Sequence, residues 1–208
     1  MTDDHIAQTA STYNAIAQGY AQKIETMGPK QERLKFLSLL SPHSAILDIG
    51  CSAGRDSRFF AHKSMIVTGI DVSEKLLEIA KSNSPRSVKY LKQDMRHLSF
   101  PPLSFDGIWA NASLLHLKRE EVKPVLLSFY KLLRPAGILF IRVKEGTGEN
   151  DIQEDLSSNQ FRHFTYFTLT EFQILVRYCG FTLLEIYNST GVIRKNLTWI
   201  NCFVKKSV

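Results

Sequence analysis

The sequence predicts an α/β fold in which a parallel sheet is covered by helices on both faces. Three observations carry that prediction. Short apolar runs alternate with amphipathic stretches along most of the chain, the pattern of strands joined by crossover helices. The first run, Ala45 to Ile49, ends at Gly50, and an amphipathic stretch begins just after Gly54; that is a strand, a tight turn and a helix start. The second run, Met65 to Ile70, carries the acid Asp71 at its C-terminal tip.

Taken in order, the chain opens with two helical stretches. Ile6 to Ile24 is polar and alanine-rich, with Tyr13 and Tyr20 on one face. Pro29 starts a second helix with an apolar stripe of Leu34, Phe36, Leu37 and Leu40. Strand 45–49 is then followed by helix 54–62, strand 65–70 by helix 73–82, and strand 87–91 by a loop. Strand Phe105–Trp109, helix 119–133 and strand Ile138–Val143 come next. Gly146 to Gln160 is polar, acidic and aperiodic, which predicts a mobile loop. Thr170 and the residues after it form a capping-box pattern opening a helix to Cys179, closed by Gly180. Phe181–Tyr187 and Leu197–Val204, joined by a polar connection around Gly191, predict an antiparallel hairpin.

The chain has 208 residues, enough for one well-buried domain. We expect a single domain over 1–208, with residues 1–43 as a helical lid and 44–208 as the core. The formal charge is +6, but Lys and Arg are spread along the sequence. Nucleic-acid binding needs basic residues clustered on one face, so the charge implies a solvated basic surface or an anionic small substrate, and no nucleic-acid partner. No apolar run reaches the length of a membrane span. Met1-Thr2-Asp3-Asp4-His5 is unlike a secretory signal. Cys51, Cys179 and Cys202 are scattered without metal-site spacing. A cytoplasmic protein with reduced thiols and no metal is expected. The oligomeric state is left open.

A glycine turn after the first strand and an acid roughly 20 residues on is the nucleoside-binding arrangement of a Rossmann-type sheet. A nicotinamide dehydrogenase fits poorly, because Asp48 would repel a diphosphate and the further glycine is missing. Gly50-Cys51-Ser52-Ala53-Gly54 also spells the nucleophile elbow of a serine hydrolase, with Asp151 or Asp155 and His163 following in order. That elbow lies on the first strand, however, and it would leave Asp71 and Asp94 without a role.

Together, Leu47 to Ser57, Gly69-Ile70-Asp71-Val72-Ser73, Gln93-Asp94-Met95, Phe105 to Asn111 running on to His116, and Leu132 to Leu139 resemble the motifs of class I S-adenosylmethionine-dependent methyltransferases. The nearest group is that of small bacterial quinone-biosynthesis and tellurite-resistance-like enzymes, which Phe161–Thr168 and Trp199-Ile200-Asn201 also resemble. The resemblance implies a Rossmann-like, doubly wound seven-stranded sheet of order 3-2-1-4-5-7-6, with strand 7 antiparallel. It implies S-adenosyl-L-methionine as cofactor. Gly50 and Cys51 set backbone against its methionine part, in a loop that runs on through Ser52 and Gly54. Ser52 stands where the family usually has a second glycine, so its hydroxymethyl group either crowds the closest backbone approach or hydrogen-bonds the cofactor carboxylate. Asp48 faces the ammonium, Asp71 holds both ribose hydroxyls, and Val72 packs on the adenine. Asp94 accepts from the adenine amine, the Met95 N–H bonds a ring nitrogen, and Asn111 lies beside the sulfonium.

The implied reaction is direct displacement of a methyl group onto a small-molecule acceptor, with alignment and exclusion of water as the main tasks. His116 is the first candidate for a general base and His163 the second. Tyr13, Tyr20 and Arg162 are the candidate acceptor-binding residues, with the N-terminal helices and the 146–160 segment closing over the site. A cofactor-binding protein without turnover is the remaining alternative.

Overall fold

The computed structural model describes residues 4–153, 161–190 and 197–207. Helices α1 (His5–Ile24) and α2 (Lys30–Ser38) lead into β1 (Ala45–Ile49), α3 (Arg55–Ala61), β2 (Ile66–Asp71), α4 (Glu74–Asn83), β3 (Lys89–Lys92) and β4 (Phe105–Asn111). A 3-10 turn at Leu114–His116 precedes α5 (Arg119–Leu132), β5 (Leu133–Lys144), β6 (Glu149–Gln153), β7 (Phe161–Thr165), α6 (Leu169–Tyr178), β8 (Phe181–Thr190) and β9 (Thr198–Lys206). The main sheet has seven strands in the order β3-β2-β1-β4-β5-β9-β8. β1 to β5 pair in parallel, and β9 runs antiparallel to both neighbours. With the extra pair β6–β7 set aside, this is the expected order, the closing hairpin included.

The alternation of side chains across a strand explains the layers. Leu47, Ile49, Ile108, Ala110, Leu139 and Ile141 face a core shared with Leu126, Phe129, Phe172 and Val176 of α5 and α6. Ile46, Trp109, Phe140 and Phe203 face the opposite side, against Phe36 of α2 and Phe60 of α3. There Trp109 stacks on Phe140 with ring centroids 4.1 Å apart.

Local signals set the element ends. Asp4 caps α1 by accepting from the Ile6 N–H at 3.2 Å, and Ser73 caps α4 by accepting from Leu76 N–H. The α6 capping box is built by Thr168 and Glu171, not by Thr170. The helix therefore starts two residues earlier than the sequence pattern predicts.

The larger departure lies in the 146–160 segment. Glu149–Gln153 is a strand, not a loop, and pairs antiparallel with Phe161–Thr165. Asp151 Oδ1 accepts from His163 Nδ1 at 2.9 Å, and the Glu149 carboxylate accepts from the Arg119 backbone N–H. Polar side chains thus bind a polar strand, which hydropathy alone does not reveal. Residues 154–160 and 191–196, with the expected loop tip and the connection around Gly191, lie outside the described residues.

Gly54, at the entrance to α3, has φ +78°. An added Cβ would stand 2.4 Å from the Tyr90 hydroxyl and 3.0 Å from Ala80 Cβ. Gly54→Ala should cost about 2–4 kcal/mol in urea unfolding, from left-handed backbone strain and overpacking. Tyr90→Phe in the same chain, which removes the nearest atom, should recover part of that loss. Equal costs in both backgrounds would show that the hydroxyl contact is not the cause.

Candidate functional site

The C-terminal ends of β1, β2, β4 and β5 open into a cavity of about 520 Å³, with α1 along one side. At its floor Gly50 has φ +67°, and an added Cβ would come within 2.6 Å of Ser113 Cβ. Only glycine lets the β1 loop pass this close to the turn after β4. Ser52 also has positive φ, at 53°. Its N–H donates to Asp71 Oδ2 at 2.8 Å, and the Ser73 N–H donates to Asp71 Oδ1 at 2.9 Å. One backbone amide therefore pins each oxygen, which leaves further acceptor capacity on both facing the cavity. Asp71 is buried, not solvent-facing, and burial raises its pKa against the pull of those two amides. The hydroxyls of Ser52 and Ser113 line the cavity, and both are buried without a hydrogen-bond partner among the described residues.

Asp48 is 2% exposed, and its Oδ2 accepts from the Ser57 hydroxyl at 2.6 Å. Burial, and then the charge of Asp56, pushes its carboxyl up to about 8. Asp56 goes the other way. Burial alone would raise it, but Arg55 and Arg33 hold it down to about 2. It accepts from Arg55 Nε at 2.8 Å, Arg33 Nη1 at 3.2 Å, Trp109 Nε1 at 3.0 Å and Asn111 Nδ2 at 3.0 Å.

The remaining nucleoside-side residues are drawn together as well. Cys51, Val72, Asp94, Met95 and Asn111 all line the cavity, whereas Gly54 does not and packs beneath it on Tyr90. Asp94 is already engaged: Arg96 donates to it from its backbone N–H at 2.9 Å and from Nε at 2.8 Å. The same guanidinium reaches Asp4 at the start of α1 and Glu121 of α5. Asp94 therefore serves the turn and the helix dock while it lines the cavity.

The opposite side is formed by Tyr13, Tyr20, His116, Arg142, Lys144, Arg162, Phe164 and Trp199. His116 Nδ1 donates to the His163 carbonyl at 2.9 Å, so its Nε2 accepts the Tyr13 hydroxyl proton at 3.0 Å. Arg162 donates in turn to the Tyr13 oxygen at 2.7 Å. Burial, with the Arg162 charge next, lowers His116 to about 3. The ring stands at the cavity as expected, weakly basic and with its lone pair engaged by Tyr13. His163 is placed differently. It does not line the cavity, and its ring is held by Asp151 and by Thr165 Oγ1 at 3.2 Å. Among the described residues no hydrogen bond joins Ser52 to a histidine, so the hydrolase pair is not assembled; Asp155 lies outside them.

Asp56, Ser113, Arg142, Lys144 and Trp199 were not anticipated as site residues. Arg142 and Lys144 had a signal: in Phe140-Ile141-Arg142-Val143-Lys144 they share one face of a strand by alternation. Asp56 had none beyond its place just after the glycine turn.

Residues 46–137 match the family model for the methyltransferase domain. YqeM of Bacillus subtilis is 33% identical over 136 residues, covering 62% of this chain and 55% of that protein. Malonyl-[acyl-carrier protein] O-methyltransferase of Erwinia pyrifoliae is 30% identical over 141 residues, covering 66% and 52%. The chain thus spans about half the length of these curated relatives. In the fold comparison, the 1,6-didemethyltoxoflavin-N1-methyltransferase of Burkholderia thailandensis superimposes with a TM-score of 0.81 at 19% identity, over 100% of this chain and 91% of that one. That protein was crystallised with 1,6-didemethyltoxoflavin and S-adenosylhomocysteine bound.

The Asp48 shift yields a stability prediction. A carboxyl whose folded pKa is raised favours folding while it stays protonated, and that contribution is lost as pH rises from about 4 toward 8. Asp48→Asn should therefore gain melting temperature over the unaltered chain increasingly between pH 5 and pH 9. A constant difference across that range would mean that Asp48 is ionised throughout.

Proposed function

With residues 46–137 a member of the methyltransferase domain family, we propose that this chain transfers a methyl group from S-adenosylmethionine to a small-molecule acceptor. The observation that carries the reading is Asp71: a buried carboxylate at the tip of β2, pinned by two backbone amides, with its remaining acceptor capacity toward the cavity. Vicinal ribose hydroxyls suit that acceptor.

The other lining residues fit the same ligand. The unpartnered Ser52 hydroxyl and the close-approach backbone at Gly50 suit the amino-acid end. A cation beside Asp48 compensates a buried carboxyl that its surroundings otherwise keep protonated. Val72 and Met95 offer apolar surface for the purine. S-Adenosylmethionine supplies an activated methyl group and departs as a neutral thioether.

The chain's own part is alignment and dehydration. The Arg162–Tyr13–His116 hydrogen bonds tie α1 to β7 and to the turn after β4, which closes one side of the cavity to water. In this reading Tyr13 and His116 position the lid, and no residue of that trio takes a proton from the acceptor. All described helices are too short or too polar to cross a membrane, and three buried, unpaired thiols support a cytoplasmic setting.

Asp71→Asn keeps the shape of the side chain but loses its charge and half of its acceptor capacity. Binding of S-adenosylhomocysteine, measured by calorimetry, should weaken by tenfold or more, in line with the roughly 1.5–3 kcal/mol of a charged hydrogen bond. A folded variant with unchanged affinity would remove Asp71 from the site. Binding without turnover on any acceptor from a panel of thiols, phenols, carboxylates and amines would leave a cofactor-binding protein in place of an enzyme.

A further inference from the structure

Acids and cations both line the cavity. The acids Asp48, Asp71 and Asp94 come from the tips of β1 and β2 and from the turn after β3, and Asp56 is shared among its four donors. The cations are Lys23 of α1, Arg55 of α3, Arg142 and Lys144 of β5 and Arg162 of β7.

Arg142 differs from Arg33, Arg55 and Arg96. Arg33 and Arg55 both pair with Asp56, and Arg96 pairs with Asp94, Asp4 and Glu121. Arg142 lines the cavity with no carboxylate at ion-pair distance among the described residues, and its Nε is buried without a hydrogen-bond partner. The guanidinium lies over the Trp199 ring, 4.7 Å from the centroid, which fixes its plane without neutralising it. Glu32 is the acid whose charge reaches Arg142 most strongly, but its carboxylate accepts from the Tyr187 hydroxyl at 3.0 Å and makes no ion pair with Arg142. On the same wall, the Lys144 ammonium sits 3.5 Å from the centroid of the Phe164 ring.

A guanidinium without a counter-ion costs folding free energy unless an anion arrives with the ligand. The cost would grow when a sulfonium is placed in the same cavity, as like charges repel across a medium poorer in water. We propose that the methyl acceptor of this chain carries an oxyanion, a carboxylate or a phosphate, seated on the Arg142 guanidinium. The proposal rests on the methyl-transfer reading above. The planar fork of an arginine matches either group with two parallel hydrogen bonds.

The test uses the full chain saturated with S-adenosylhomocysteine and titrated by calorimetry with benzoate, phenyl phosphate and neutral benzamide. At least one of the two anions should bind tenfold or more tightly than benzamide, and their ratio identifies the oxyanion. Arg142→Gln should bring both anions to the benzamide level, and Arg142→Lys should retain part of the preference. The S-adenosylhomocysteine dissociation constant should stay within twofold in both variants, which also shows that they fold. Anions bound no better than benzamide by the saturated, unaltered chain would overturn the proposal alone. So would parallel losses of anion and S-adenosylhomocysteine affinity in Arg142→Gln, which would assign the guanidinium to the cofactor's own carboxylate. An unaltered chain that fails to bind S-adenosylhomocysteine would overturn the methyl-transfer reading as well.

Discussion

The buried carboxylate of Asp56 is the constraint on which the rest of the site depends. It is 5% exposed and gathers donors from α2, α3 and β4. Two guanidiniums, an indole N–H and a side-chain amide converge on one group, which satisfies the indole and neutralises both buried cations, although Arg33 Nε stays without a partner among the described residues. Arg55 extends the hub further, donating to the carbonyls of Ile24 and Met27 at the end of α1. Helix, glycine turn and sheet are thereby fixed relative to one another by a single charge. Removing that charge would leave buried cations unpaired, the expensive half of any internal ion pair.

The fold was legible in the sequence wherever apolar periodicity was strong. β1 was read to the residue, and the closing antiparallel hairpin followed from two apolar runs around a polar connection. The β6–β7 pair was not legible, because its cohesion comes from His163, Asp151, Glu149 and Arg119, and polar residues look alike in loops and in exposed strands. The α6 start was missed by two residues since Thr168 and Thr170 are both plausible caps, and only geometry shows which one meets Glu171.

The site divides along the same line. Glycine spacing and a strand-tip acid are local signals, and they led to the Gly50 loop and to Asp71. Three-dimensional neighbours such as Arg142, Trp199 and Asp56 come from segments far apart in the chain. The histidines show the limit of reasoning from position alone. His116 does stand at the cavity, yet its hydrogen bonds and burial leave it neutral, and His163 contributes its carbonyl while its ring points into a separate polar cluster.

The two ends of the cavity are made of different material. At the Asp71 end the decisive donors are main-chain amides of Ser52 and Ser73, the first in a left-handed conformation and the second at an ordinary helix cap. At the other end the chemistry is presented by side chains on β5 and β9, which pair with each other in the main sheet, and on β7, which pairs with β6. Exchange of residue 142 or 199 changes what the wall offers without touching a ladder hydrogen bond. The two parts of the wall therefore answer a substitution differently: a change at 142 or 199 alters a side chain alone, whereas a change at Gly50 or Ser52 alters the backbone that presents the amides.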